Sequence, residues 1–424
     1  MIPSLPGCTP ATTRSQSEGL AHLQRIAADQ AEAGLAVAFG PAPAMPLPPA
    51  RDTTSGQFPA ISVLIPAHNE ASTIATTIQS LRGQTLPPAR IIVICDNCTD
   101  DTAATARAQG VAVITTVGNT GRKAGAVNQA LSRVLADRAP DFFVMVMDAD
   151  TELSPAWLET AARELAGNRR AAVGGTYLGA GAEEDPGAGV GSRAYRGLVR
   201  QLQFNEFVRS SRLQGRKHRT SVWCLSGTGT MARASMFREI AAERGRSLPG
   251  RHGDVYDSHS STEDFELTLA CRTLGYQCVI PPGCDSRTEV MPTMRAWFKQ
   301  RLRWQFGTLE SLVDYGFNQH TRGWNGWARQ GLFHLRFLTQ FALWFVLARS
   351  LATTGAAFPP FIIACLVVVY AERLISVWGA GWKGRLLAAL ILPEFLYGVS
   401  EGAYLVSAIW KVVRRKPLTD WGHL

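Results

Sequence analysis

The first strong pattern along the chain is an alternation of short apolar runs with longer amphipathic stretches. Residues 61–66, ISVLIP, are apolar and β-branched and stop at Pro66, which predicts a buried strand. A helix follows over 72–82, then a second strand over 91–95, IIVIC. An Asp/Asn/Thr turn leads to a helix over 100–109, a third strand over 111–115 and a helix over 123–136. A fourth strand, 142–147 (FFVMVM), ends at Asp148. Strands this uniformly apolar are covered on both faces, so the alternation predicts an α/β fold with a mostly parallel, doubly wound sheet. In such sheets ligands bind beyond the carboxyl ends of the strands, where Pro66, Asp96 and Asp148 all lie.

The pattern changes toward the carboxyl end. Phe337–Ala348, Phe358–Tyr370 and Leu386–Trp410 are apolar, with Arg336, Arg349, Glu394 and Glu401 within or beside them. These segments read as membrane helices or interfacial segments, against the alternative of a helical subdomain in water. The basic flanks KGR (383–385) and KVVRRK (411–416) suit the cytoplasmic side. Three passes from a cytoplasmic start would leave KVVRRK outside, so one segment is expected in the interface, with Leu332–Ala348 as the candidate. At the other end, 18–37 reads as a short amphipathic helix and 40–50, GPAPAMPLPPA, as a Pro-rich linker. Met1–Ser17 lacks the apolar core of an export signal. The expected organisation is an N-terminal arm and linker over 1–57, a catalytic domain over 58–325 and a membrane-associated helical region over 326–424.

Composition narrows the partners. The 424 residues carry a net charge of +9, which favours nucleic acid, anionic lipid or phosphorylated ligands. No dense basic stripe and no zinc-finger spacing is present, so nucleic acid is excluded as the expected partner. Eight cysteines are scattered without a framework; Cys95 and Cys98 form a C-x-x-C that lacks the second pair a zinc site needs.

Three groups of residues carry chemistry. Asp148-Ala149-Asp150 follows a buried strand, and two carboxylates at that spacing suit Mg²⁺ or Mn²⁺ and the phosphates such an ion holds. Glu263-Asp264 follows Ser/Thr residues that read as a helix N-cap, with the helix running to Leu274. Carboxylates there are ordinary dipole partners, but beside an Asp-x-Asp strand end a general base is the favoured reading. Gln300-Arg301-Leu302-Arg303-Trp304 reads either as an amphipathic helix face or as a guanidinium fork for a diphosphate with an indole for a sugar ring.

The ordered series PAHNE (66–70), CDNCTDDT (95–102), GRKAGAVNQAL (121–131), MDAD (147–150), SGTGT (226–230), TED (262–264) and QRLRW (300–304) resembles the family-2 glycosyltransferases of the GT-A fold. The resemblance covers about residues 60–310 and is nearest the processive membrane subgroup of cellulose, chitin, hyaluronan and poly-N-acetylglucosamine synthases. It implies that Pro66, Ala67 and Glu70 border the nucleotide, that Asp96 contacts the uracil and that Lys123 approaches the diphosphate. Asp148 would lie beside the sugar nucleotide, Asp150 would bind the metal and Asp264 would be the general base. Ser226, Gly227, Thr228, Glu263, Gln300, Arg303 and Trp304 would line the acceptor and diphosphate end. The implied partners are a nucleotide-diphosphate sugar, with UDP as the nucleotide, a glycan or lipid-linked acceptor and membrane lipids. The implied cofactor is Mg²⁺ or Mn²⁺, and the implied location is the cell membrane with the catalytic domain cytoplasmic. A single-addition transferase acting on a lipid-phosphate or protein is the alternative activity. The cysteines at 95 and 98 depart from relatives that often have Asp and Ser there, and many processive relatives carry transmembrane helices before the catalytic domain.

Overall fold

The computed structural model describes residues 58–136, 142–180, 190–215, 222–323, 326–354 and 360–414. The expected N-terminal helix and linker, and the end of the KVVRRK stretch, lie outside them. Among the described residues, ten strands form two sheets. The larger contains β1 (Ile61–Ala67), β2 (Arg90–Cys95), β3 (Ala112–Thr115), β4 (Phe143–Val146), β6 (Ala171–Gly174), β8 (Thr230–Arg233) and β9 (Gln277–Val279), in the order β3-β2-β1-β4-β8-β6-β9. All neighbours are parallel except β8, which runs antiparallel to β4 and β6. Val63, Ile65, Val93, Phe143 and Met145 are fully enclosed or nearly so. Helices α1 (Ile74–Arg82), α2 (Thr102–Ala108), α3 (Arg122–Leu135) and α4 (Trp157–Gly167) alternate with the early strands. Full burial of each such aliphatic side chain contributes roughly 1.5–3 kcal/mol.

The antiparallel insertion of β8 is what brings the SGTGT loop to the site. Val146 pairs with Thr230, so the residues just before β8 meet those just after β4. There the Asp148 N–H donates to the Gly227 carbonyl at 3.1 Å. The second sheet, β5 (Thr151–Leu153), β10 (Asp285–Glu289) and β7 (Thr176–Ala180), pairs Thr288 with Thr151 and so carries the end of β10 beside Asp150.

Helices α5 (Val190–Gly215), α7 (Glu263–Thr273) and α8 (Met294–Tyr315) complete the walls of the site, and α6 (Ala234–Glu243) follows β8. Thr262 is the N-cap of α7, as its sequence suggests, but its hydroxyl caps nothing and is buried without a partner among the described residues. The segment between α6 and α7 is held by Arg244, whose Nη2 donates to Glu266 Oε2 at 2.7 Å and to the Val255 carbonyl at 2.6 Å. Tyr315 Oη donates to the same carboxylate at 2.6 Å.

The carboxyl-terminal region comprises α9 (Trp327–Thr354), α10 (Pro360–Ser376), a short 3₁₀ turn, α11 (Gly381–Ala389) and α12 (Ile391–Val413). The apolar run Leu386–Trp410 is therefore two helices, not one segment. Pro393 explains the break: within a continuous helix its ring would clash with the Ala389 carbonyl, whereas at the first turn of α12 it needs no N–H. Helix α9 begins on the catalytic domain, where Gln305 Nε2 donates to Gln330 Oε1 at 2.8 Å. Helix α10 ends on it, where Arg209 Nε donates to Ser376 Oγ at 3.2 Å, and Glu394 of α12 accepts from Arg209 at 2.9 Å and from Arg373 at 2.8 Å. Gly402 of α12 admits the Phe337 ring of α9, which would overlap any side chain at that position. Among the described residues, Trp327–Thr353 is the one helix long and apolar enough to cross a bilayer. Leu332–Ala348, expected in the interface, is the middle of that helix. Pro360–Ser376 with Trp378–Ala389 qualifies only as a pair bent by 49°.

The buried Arg244–Glu266 pair yields a stability prediction. Glu266→Ala leaves a guanidinium enclosed without its counter-charge, so denaturant unfolding should register a loss of about 3–5 kcal/mol.

Candidate active site

Every residue singled out for chemistry lines one cavity of about 770 Å³ at the carboxyl ends of β1, β2 and β4. Pro66, Ala67 and Glu70 come from the end of β1, and Asp96 follows β2. The turns here hold Asn69, Asn97 and Arg122 at φ of 58°, 49° and 55°. Left-handed backbone at non-glycine positions is strain that ligand-binding loops commonly store. Asp96 is buried, and its Oδ1 accepts from Thr116 Oγ1 at 2.7 Å and Asn119 Nδ2 at 2.8 Å. Among the described residues nothing donates to its Oδ2. Cys95 is buried and its thiol is pushed up to about 12, chiefly by that burial and then by Cys98, while Cys98 Sγ donates to the Ala67 carbonyl at 3.3 Å. These contacts make the pair part of the turn, and the raised Cys95 thiol is a poor nucleophile.

Lys123, in the first turn of α3, reaches between the two acidic motifs. Its Nζ lies 2.5 Å from Asp148 Oδ1 and 2.6 Å from Glu263 Oε1. Burial alone would lower the ammonium's pKa, but the two carboxylates outweigh it and hold the pKa well above the ordinary lysine value. Glu263 is likewise raised by burial and lowered further by Lys123, so its net shift is downward. Glu263 therefore acts on the lysine rather than presenting a free carboxylate to the cavity. Gly227 sits under this bridge: a Cβ there would stand 3.0 Å from Asp148 Oδ2 and 3.1 Å from Lys123 Nζ.

Asp150 has a different environment. Its carboxyl is raised to about 7, first by burial and then by the negative charges of Asp148, Glu70 and Glu289. Thr288 Oγ1 donates to it at 3.4 Å. An all-oxygen, negatively charged pocket of this kind fits Mg²⁺ or Mn²⁺. Among the described residues no group of three or more His, Cys, Asp and Glu is arranged to hold an ion alone. The protein's share of such a shell would be one or two carboxylates, with substrate phosphates supplying the rest. Glu289 had no signal in the sequence; the pairing of β10 with β5 brings it here.

Asp264, at the start of α7, is fixed by two backbone donors, Gly227 N at 3.1 Å to Oδ2 and Phe265 N at 2.7 Å to Oδ1. Burial, and after it the charge of Glu263, raises its carboxyl to about 6 against the opposing pull of Lys123. Ser226 and Thr228 share a hydroxyl contact of 3.1 Å beside it.

Gln300, Arg303 and Trp304 line the cavity from α8, and Arg301 behind them holds the helix. Glu206 of α5 accepts from Arg301 Nε at 2.8 Å and Nη2 at 3.0 Å, from Trp297 Nε1 at 3.3 Å and from Tyr397 Oη of α12. The Arg301 guanidinium lies 4.2 Å over the Trp304 ring. One face of that indole is thus covered by a fixed cation. Sequence order gave no hint of Glu206, because its partners are 91–191 residues away.

Residues 62–241 match the family model described as Glycosyl transferase family 2. That match spans β1 to α6 and stops before Glu263. A curated relative, "Probable glycosyltransferase YdaM" of Bacillus subtilis (strain 168), is 26% identical over 274 residues, or 61% of this chain. The match spans 57% of that protein's length. Among solved structures, the mannosyltransferase PcManGT from Pyrobaculum calidifontis, in complex with GDP-Man and Mn²⁺, is similar with a TM-score of 0.50 and 19% identity, covering 88% of this chain and 92% of that one. The fold is accordingly GT-A-like: mixed α/β with a mostly parallel sheet.

The raised carboxyl of Asp264 gives a pH expectation. A base must be ionised, and a pKa of about 6 means that form is lost as pH falls through 6. Turnover should drop about tenfold per pH unit below that point. Glu263→Gln removes a like charge and should move the midpoint of this limb down, as read from a pH–rate profile.

Proposed function

We propose that this chain is an inverting, metal-dependent glycosyltransferase that moves a sugar from a nucleotide-diphosphate sugar, with UDP as the nucleotide, to a hydroxyl of a glycan acceptor. The observation that carries this reading is the placement of Asp264 in the same cavity as Asp148 and Asp150, with its carboxylate held by the Gly227 and Phe265 N–H groups. Asp264 takes the proton of the acceptor hydroxyl as that oxygen attacks the anomeric carbon from the face opposite the leaving diphosphate. Lys123 presents an ammonium to the departing phosphates. A bound Mg²⁺ or Mn²⁺ at Asp150 supplies further neutralisation of that charge. Oδ2 of Asp96 accepts from the base edge, and Pro66, Ala67 and Glu70 border the nucleotide. The match of residues 62–241 to a glycosyltransferase family supports the donor half of this assignment.

Extension of a glycan is favoured over single addition by the QRLRW element. Trp304 has one ring face against Arg301, so its other face is the platform for an acceptor sugar. We place the catalytic domain at the cytoplasmic face of a membrane, with α9 and the bent α10–α11 pair as two crossings. The start of α9 bonds to the catalytic domain, as do Ser376 at the end of α10 and Gly384 of α11, an arrangement that returns the basic tail to the cytoplasmic side.

The test is a donor screen on membrane fractions that reads released nucleotide diphosphate, with product anomer and length determined on the wild type. Asp264→Asn should lower turnover by about two to four orders of magnitude while nucleotide binding survives. An α-linked product from an α-linked donor, or normal turnover in the variant, would refute the reading.

A further inference from the structure

Among the described residues, one cation in the cavity wall, Arg329, has no carboxylate beside it. Arg329, in the first turn of α9, lines the cavity, and its guanidinium stacks 4.5 Å over the Trp223 ring. Among the described residues nothing accepts a hydrogen bond from it and no carboxylate pairs with it. The carboxylate that shares this wall, Glu206, is already occupied by Arg301, Trp297 and Tyr397. The neighbouring charge is another cation, Arg272, which donates to the Trp223 carbonyl at 3.4 Å. An unpaired guanidinium in a half-enclosed wall is unfavourable unless a ligand completes it, and its planar fork matches the oxygens of a phosphate.

Its position relative to the chemistry is defined. The Trp223 ring packs on Phe265 at 4.8 Å, and Phe265 follows the base Asp264 in the chain. Arg329 is therefore one ring pair, Trp223 on Phe265, from the residue that follows Asp264, which puts it on the acceptor side of the proposed reaction. One turn on, Phe333 lines the same cavity while Leu332 and Leu335 are exposed on the apolar flank of α9.

We propose that the acceptor carries a phosphate group, which Arg329 binds while the acceptor hydroxyl lies at Asp264. This rests on the transferase reading above and narrows its substrate to a phosphate-bearing class. The phosphate has two sources, a lipid headgroup whose tail follows α9 or a free phosphorylated molecule.

The test compares the full chain, wild type and Arg329→Gln, in a neutral detergent. Titrations use dodecyl phosphate, glycerol 3-phosphate and dodecanol, each read by calorimetry, with UDP plus Mn²⁺ titrated separately. The phosphate probes should bind the wild type, and Arg329→Gln should weaken them about tenfold or more. Unchanged UDP affinity in the variant shows that it is folded. Tighter binding of dodecyl phosphate than of glycerol 3-phosphate assigns the lipid source; equal binding assigns the free one. The proposal is overturned if neither phosphate probe binds, if the variant binds them as tightly as the wild type, or if dodecanol matches dodecyl phosphate. Failure of the wild type to bind UDP would instead count against the transferase reading, because the phosphate titrations do not depend on it.

Discussion

The site depends on one ammonium group. Lys123 stands between Asp148, at the end of β4, and Glu263, at the start of α7, and neutralises both. Without that charge, four carboxylates from two distant segments would face one another across the cavity floor. With it, two are paired, and the other two are left in distinct states. Asp150, buried beside the charges of Asp148, Glu70 and Glu289, is raised to about 7. Asp264 is raised only to about 6, so at neutral pH it is a base and not an acid. Burial raises both, and the lysine's charge opposes that rise at Asp264, so neighbouring carboxylates are left with different affinities for a proton.

Geometry makes that division reproducible. The antiparallel β8 brings Gly227 under the lysine, where any side chain would crowd both Asp148 and Lys123. The same glycine offers its carbonyl to Asp148 and its N–H to Asp264. The metal-side and base-side carboxylates are therefore referenced to one backbone unit. On the acceptor side, Glu206 ties α5, α8 and α12 together and fixes the cation behind Trp304. The apolar helices are consequently part of the active-site wall and not a separate appendage.

Much of the donor half was legible from sequence. Buried strands that end in Pro66, Asp96 and Asp148 follow directly from apolar runs and the rule that ligands bind at carboxyl ends. Boundaries of α1–α3 shifted by two residues at most, as helix ends fray. What could not be read depends on long-range pairing. The antiparallel β8, the arrival of Glu289 beside Asp150 and the four donors on Glu206 arise from contacts that no local periodicity encodes. Leu386–Trp410 reads as one span because its hydropathy is continuous, yet the proline within it sets the helix break. The Lys123 bridge was missed for a related reason: a lysine near a diphosphate motif reads as a phosphate ligand, and its carboxylate partners lie 25 and 140 positions further along the chain.

The central claim is that Asp150 binds a divalent ion that in turn holds the nucleotide's phosphates. Calorimetric titration of UDP into the wild type and Asp150→Asn, each with Mn²⁺ and with excess chelator, tests it most directly. The account predicts that chelation weakens UDP binding by about tenfold or more in the wild type and changes little in the variant, which binds weakly throughout. Equal UDP affinity of the wild type with and without Mn²⁺, or a full metal-dependent gain in Asp150→Asn, would contradict it.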